Sequence, residues 1–172
     1  MKGTVANGFY TFISGATGGI GRAFAFACAA EGSLFLTGRS AEKLDLLRAE
    51  IQAEYPACAV EAFPCDLTDL SSRGRLYAYV AERGLIFSRL CNVAGVDIQK
   101  AFEKYTEEKI AFQCRVNLEG TLSVTRFVLS RRAPSLEIVT IGSISGVYPM
   151  PYFAIYSARK SALASFFSSL RL

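Results

Sequence analysis

The chain has no histidine among its 172 residues. The side chain that ordinarily titrates near neutral pH is therefore missing, and any proton transfer falls to another group. Its five cysteines, Cys28, Cys58, Cys65, Cys91 and Cys114, make an odd number without a C-x-x-C pair. With neither histidine nor paired cysteines, no metal site is expected. Free thiols scattered through apolar segments fit a reducing cytosol, where cysteine serves as a small hydrophobe. Runs of like charge are absent as well. The net charge is +4, and Arg126, Arg131 and Arg132 cluster only loosely, so no nucleic-acid partner and no membrane partner is expected. Long apolar runs are also missing. The apolar stretch after Lys2 is interrupted by Gly15, Gly18, Gly19, Gly21 and Arg22, which excludes a signal-peptide core or a membrane span there. A cytoplasmic protein is the expectation.

What the chain does have is an ordinary globular balance, 51% hydrophobic and 20% charged. A chain of this length can bury roughly 70% of its unfolded surface, so residues 1–172 are read as one domain. Short apolar strands are expected over Phe9 to Ser14, Leu34 to Thr37, Ala59 to Phe63, Leu85 to Cys91 and Glu137 to Ile141. Between them lie helical patterns. The first runs from Gly19 to Glu31 and is closed by Gly32. A second is capped by Ser40 and stopped by Pro56; a third is ended by Gly84. A long one spans Thr106 to Ser130, after which Pro134 breaks the chain, and a last one runs from Tyr152 to the end. Alternating strands and helices without repeats imply an α/β fold: a doubly wound, Rossmann-type parallel sheet in three α/β/α layers, ordered 3-2-1-4-5.

Ser14-Gly15-Ala16-Thr17-Gly18-Gly19-Ile20-Gly21-Arg22 joins the first strand to the first helix. Glycines there permit a tight turn and let backbone amides approach a pyrophosphate at the positive end of the helix. No Gly-Lys-Ser/Thr follows, so the loop is not a Walker motif, and its place between strand and helix favours a dinucleotide. At the end of the second strand stands Thr37-Gly38-Arg39-Ser40, with no acidic residue to bond a ribose 2′-hydroxyl. Arg39 can instead pair with a 2′-phosphate, so NADP(H) is favoured over NAD(H).

Near the carboxyl end, Tyr156 and Lys160 stand at i and i+4 on one predicted helix face, thirteen residues after Ser143. A phenol beside an ammonium is a proton donor whose anionic form the cation favours. Gly142-Ser143-Ile144-Ser145-Gly146 has the outline of a nucleophile elbow, but isoleucine holds the nucleophile position and no histidine can act as base. Between Ser143 and Tyr156 lie Val147, Tyr148, Pro149, Met150, Pro151, Tyr152 and Phe153, an apolar wall suited to a ligand of some hydrophobic bulk. The last helix also carries an apolar face of Ala162, Leu163, Phe166, Phe167 and Leu170 that must pack somewhere.

Together these segments resemble the short-chain dehydrogenase/reductase family of the Y-x-x-x-K type. The resemblance rests on Gly15, Gly19 and Gly21, Asp66, the turn Asn92-Val93-Ala94-Gly95, Asn117, Ser143, Tyr156 and Lys160, in order. It implies a hydride-transferring oxidoreductase acting on a small-molecule carbonyl or alcohol. Tyr156 would be the general acid or base, Lys160 its cationic neighbour and a ribose ligand. Ser143 would bond the substrate oxygen, and Asn117 would position a water linked to Lys160. Ser14, Gly15, Thr17, Gly19, Ile20, Gly21 and Arg39 would bind the cofactor, Asp66 and Leu67 its adenine, and Asn92, Ala94 and Gly95 would line its cleft. Two departures stand out: Val93 replaces the family's second asparagine, and the family continues past the last helix where this chain stops at Leu172. The chain is thus expected to be an amino-terminal portion of a longer protein, whose long helices would pair it as a homodimer or homotetramer. The alternative reading is a non-catalytic NADP(H)-binding module with a regulatory or scaffold role.

Overall fold

A computed structural model describes residues 8–148 and 150–170. Five short strands form one sheet: β1 (Tyr10–Ser14), β2 (Ser33–Gly38), β3 (Val60–Pro64), β4 (Phe87–Asn92) and β5 (Arg132–Thr140). All pair in parallel in the order β3-β2-β1-β4-β5. This is the doubly wound, Rossmann-type sheet that the alternation predicts, with β1 at its centre.

Period-two alternation sends neighbouring side chains of each strand to opposite faces. Ile13, Leu34 and Leu36 pack with Ala25, Cys28 and Ala29 of α1 (Gly19–Ala29) and with Leu44, Leu47 and Ile51 of α2 (Ala41–Glu54). On the other face, Phe12, Phe35, Phe87 and Leu90 meet Leu76 and Val80 of α3 (Leu70–Glu82) and Val124 and Val128 of α5 (Gly120–Ser130). The Phe12 ring lies 5.0 Å from Phe35 and 5.3 Å from Phe87, centroid to centroid. Both faces are apolar because both are covered, so the strands read as continuous hydrophobic runs.

Side-chain caps start several helices. Ser40 accepts from the Lys43 amide, Asp69 from Ser71 and Ser72, and Thr106 from Lys109. Gly84, at φ +62°, ends α3 in the left-handed conformation that glycine tolerates. Gly32 does not do this for α1. Its φ is outside the left-handed region, and α1 ends at Ala29 with ordinary turn bonds from Glu31 and Gly32 to the Cys28 carbonyl.

Two further expectations need correction. The pattern over 106–130 reads as one helix, but the structure divides it into α4 (Glu107–Cys114), a π-turn (Arg115–Glu119) and α5. In the π-turn the Gly120 amide reaches back five residues to the Arg115 carbonyl. Pro134 is not a break ahead of the fifth strand; it lies inside β5, which begins at Arg132. There the register jumps, since Phe87 faces Arg132 while Arg89 already faces Glu137. A proline is tolerated because β5 is an edge strand. The last helix, α6, spans Ala154–Ser169; residues 171–172 lie outside the described residues. No helix among the described residues is long and apolar enough to cross a membrane.

Candidate functional site

The glycine loop closes tightly on itself and on its neighbour. A Cβ on Gly21 would stand 2.1 Å from the Gly15 carbonyl oxygen, and one on Gly15, at φ +68°, would stand 2.6 Å from Ala94 Cα. Two glycines are therefore consumed in packing, so that the start of α1 can sit on β1 and the turn after β4 can sit on the loop. Gly19 differs, for a Cβ there would meet nothing within 4 Å. Gly19 borders a cavity of about 450 Å³. The amino terminus of α1 opens at this cavity with no side-chain cap and no acidic residue in its first turn, which leaves free N–H groups and a positive dipole end.

Gly15, Thr17, Gly19, Ile20, Gly21, Arg39, Asp66, Leu67, Ala94 and Gly95 all border this cavity, together with Gly18, Thr37, Gly38, Lys43, Cys65, Val93, Val96 and Val116. Lys43 was not singled out by the sequence pattern. Its position four residues after Arg39, in the first turn of α2, is the signal that could have found it. Neither Arg39 nor Lys43 takes part in an ion pair among the described residues. Asp66 is exposed, and its Oδ1 accepts from both the amide and the hydroxyl of Thr68.

Ser14 and Asn92 stand behind the cavity wall rather than on it. The buried Ser14 hydroxyl accepts from the amides of Val93, at 3.2 Å, and Ala94, at 3.3 Å. Backbone N–H groups that follow β4 are thus held by β1, and the Val93 side chain packs against the core on the α1 side. Asn92 donates to Thr125 and Thr140 hydroxyls at 3.1 and 3.4 Å, joining β4 to α5 and β5. Asn117, within the π-turn, is 2% exposed; its Oδ1 accepts from the Val96 amide while its Nδ2 donates to the carbonyls of Val96 and Gln113. The backbone after Gly95 is bonded to this side chain as if to a neighbouring strand.

Tyr156 and Lys160 on α6, and Ser143 just past the carboxyl end of β5, all lie outside the cavity lining. On α6, Tyr156 and Lys160 share a face, with the Lys160 Nζ 5.6 Å from the Tyr156 ring centroid. Lys160 is 9% exposed, and its ammonium donates to the Ile141 carbonyl at 2.5 Å. The Ile141 amide in turn donates to the Asn92 carbonyl, so this group is bonded to the strand end that leads into the cavity wall. Burial, and secondarily the Arg159 charge, push the Lys160 amine below its ordinary value. Ser143 starts a short 3₁₀ turn (Ile144–Gly146), and its hydroxyl lies 2.8 Å from that of the buried Ser145. Ser145, the second serine of Gly-Ser-Ile-Ser-Gly, is a further polar contact that orients Ser143. The apolar residues between the groups are laid open: Ile144, Val147, Tyr148, Met150 and Tyr152 are all exposed, while Pro149 lies outside the described residues. Tyr152 has φ +66°, a left-handed conformation costing about 1 kcal/mol for a bulky residue, and its carbonyl accepts from the Lys100 amide.

The family model described as short chain dehydrogenase matches residues 10–172. Among curated relatives, the chain is 30% identical to a very-long-chain 3-oxoacyl-CoA reductase-like protein of Arabidopsis thaliana, over 96% of this chain and 54% of that protein. It is 33% identical to the very-long-chain 3-oxoacyl-CoA reductase of Neurospora crassa, over 95% and 51% respectively. It is also 33% identical to the sulfoacetaldehyde reductase of Chromohalobacter salexigens, over 93% and 64%. The chain thus spans about half the length of the first two relatives. Among solved structures, an alcohol dehydrogenase of Thermococcus sibiricus complexed with 5-hydroxy-NADP superposes with a TM-score of 0.86 at 26% identity, over 94% of this chain and 69% of that one. A short-chain dehydrogenase of Sphingobium yanoikuyae in complex with NADPH gives 0.79 at 30% identity, over 89% and 61%.

Two outcomes follow from this geometry. Gly21→Ala forces a methyl against the Gly15 carbonyl and should cost at least about 3 kcal/mol of stability, whereas Gly19→Ala should keep or raise the melting temperature and instead weaken dinucleotide binding; thermal unfolding and a cofactor titration check both. The second concerns alkaline pH. Because the Lys160 amine is held below its ordinary value in the folded chain, the unfolded chain binds more protons at this site between the two values. Stability therefore rises with pH across that window. Lys160→Met should reduce this slope by up to about 1.4 kcal/mol per pH unit, read from urea midpoints as the pH rises toward the ordinary lysine value of about 10; an unchanged slope would contradict it.

Proposed function

Because the chain belongs to the short-chain dehydrogenase family, we propose that it carries the cofactor-binding and proton-transfer parts of an NADP(H)-dependent oxidoreductase interconverting a carbonyl compound and its alcohol. The observation that carries this reading is the buried Lys160 ammonium, anchored on Ile141 and standing over the Tyr156 ring. A desolvated lysine with no carboxylate partner among the described residues has a high cost for a purely structural role, and its neighbour is a phenol.

The lining of the cavity supports a dinucleotide as its occupant. An uncapped helix terminus and the open face at Gly19 suit the pyrophosphate. Asp66 and Leu67 border the region assigned to adenine, and Ala94 and Gly95 the opposite end. Arg39, just after β2, and Lys43, in the first turn of α2, place two cations on a lining whose one carboxylate is Asp66, after β3, which supports a 2′-phosphate and hence NADP(H) over NAD(H). When bound, the reduced cofactor supplies the hydride. Tyr156 gives its phenolic proton to the substrate oxygen in the reductive direction, and Ser143, aligned by Ser145, donates a hydrogen bond to the same atom. Lys160 stabilises the phenolate left behind. Asn117 ties the wall at Val96 to the π-turn and is the residue nearest in role to a water-positioning group.

The exposed Val147, Tyr148, Met150 and Tyr152 support a substrate with hydrophobic bulk, in keeping with relatives named for very-long-chain 3-oxoacyl-CoA reduction. The half-buried Phe166 and Phe167 on α6 support self-association as a homodimer or homotetramer. A non-catalytic NADP(H)-binding module is the second reading; that Ser143, Tyr156 and Lys160 are absent from the cavity lining supports it.

In the full chain, Tyr156→Phe should lower turnover of a long-chain carbonyl substrate by about 10²–10⁴-fold while NADPH affinity changes little; normal turnover would leave only the binding module. Arg39→Ser should weaken NADPH about 10–100-fold, the worth of one charge-assisted contact, and leave NADH affinity unaltered. Equal losses for both cofactors would remove the 2′-phosphate assignment.

A further inference from the structure

Arg159 lies between the two residues to which the proton transfer is assigned, and it is only 3% exposed. It belongs to none of the ion pairs among the described residues. Instead its guanidinium is spent on neutral acceptors. Nε donates to the Ile155 carbonyl at 3.0 Å, and the two terminal nitrogens reach the carbonyl and the Oε1 of Gln113, each at 2.8 Å. Gln113 is fully buried near the end of α4. Its carbonyl also accepts from Asn117 Nδ2 at 3.0 Å. A single carbonyl oxygen is therefore shared by a guanidinium on the active-site helix and an amide in the π-turn.

This arrangement is costly by itself. Desolvation pulls the Arg159 guanidinium below its ordinary value, and the Gln113 Nε2 is left without a partner. An apolar side chain of similar volume would avoid the first cost altogether. The cation is also badly placed for tolerance, since Lys160 follows it directly, and the Arg159 charge adds to the burial that already pushes the Lys160 amine below its ordinary value. What the placement does achieve is proximity to the phenol. Arg159 Cζ lies 5.5 Å from the Tyr156 ring centroid, and Lys160 Nζ lies 5.6 Å from it. The other ionisable groups that act on this cation come from neighbouring elements: Cys114 at the end of α4, and Asp97 and Tyr105 from the segment between β4 and α4. None of them bonds to it. The Tyr105 hydroxyl is taken by the Ile98 carbonyl, and Asp97 accepts from Gln99.

We propose that Arg159 is a positioning residue for the proton-transfer group: through Gln113 it locks the helix bearing Tyr156 and Lys160 to the π-turn bearing Asn117, and it presents a second, unneutralised cation to the Tyr156 ring. The inference rests on the reading of Tyr156 as the proton donor. It adds a requirement that Lys160 does not satisfy, because Lys160 is bonded to the end of β5 and not to α4.

The test is a spectrophotometric pH titration of tyrosinate in the full chain, with each variant read against the same variant carrying Tyr156→Phe, so that the Tyr156 signal is isolated. Arg159→Gln removes the charge and keeps a donor for the Gln113 carbonyl; Arg159→Lys keeps the charge and loses the fork. Ionisation of Tyr156 should be about tenfold weaker in Arg159→Gln and should recover at least half of that loss in Arg159→Lys. A folded Arg159→Gln chain with unaltered Tyr156 ionisation overturns the proposal. If Arg159→Gln does not fold, Gln113→Met, which frees one guanidinium bond, should displace the ionisation in the same direction, and no displacement overturns it. Lys160→Met separates this from the underlying reading. A displacement there but not in Arg159→Gln sinks the role of Arg159 alone, whereas no displacement in either sinks the assignment of Tyr156 as well.

Discussion

The structure depends on one close approach of backbone to backbone. Gly21 rests on the Gly15 carbonyl, and Gly15 rests on Ala94. Each contact is shorter than any side chain permits, and together they bring the start of α1, the end of β1 and the turn after β4 to one point. The cavity exists because these three segments meet there without filling the space in front of Gly19. A methyl group at either packed glycine would pry the segments apart, and the cavity wall at Val93–Val96 would lose its backing.

Polar side chains then carry the order outward from that point. The Ser14 hydroxyl holds the amides of Val93 and Ala94, and Asn117 holds Val96 from the opposite side. Asn92 passes through its own carbonyl to Ile141, and Ile141 through its carbonyl to Lys160. The groups assigned to the cofactor and to the proton are thus parts of one bonded framework, although they lie apart in sequence and only the former border the cavity. Such frameworks are costly when incomplete. The buried Asn92 Oδ1 has no partner, at the position adjoining the substituted Val93.

Much of this is legible in the residues themselves. Strand order follows from alternation and handedness, and ten of the residues singled out for the cofactor do border the cavity. The i, i+4 pairing of Tyr156 with Lys160 needs nothing beyond helical geometry. What stayed hidden has a common cause: it is fixed by contacts between segments distant in sequence. No local pattern forces a π-turn at Arg115–Glu119; it accompanies the bonds of Asn117 to Val96, twenty-one residues away. Pro134 reads as a break until the sheet order shows β5 to be an edge. Ser14 reads as part of a phosphate loop, yet its hydroxyl faces the strand end across the sheet, and the bonds of Arg159 to Gln113 join residues forty-six apart. Gly32 misled in the opposite sense, since a glycine after a helix has a familiar use that the chain does not make of it here.

Pro134 has a consequence for how the sheet meets other chains. At the outer side of β5 the first residues are bulged and lack one amide, so they offer a poor template for another strand. From Glu137 to Thr140 the ladder is regular, and its far side is open among the described residues. Any β-segment that docks there, whether cognate or adventitious, is confined to a four-residue window next to the Ser143 turn. The regular part of the edge strand thus lies next to the Ser143 turn, and the bulged part lies at its opposite end.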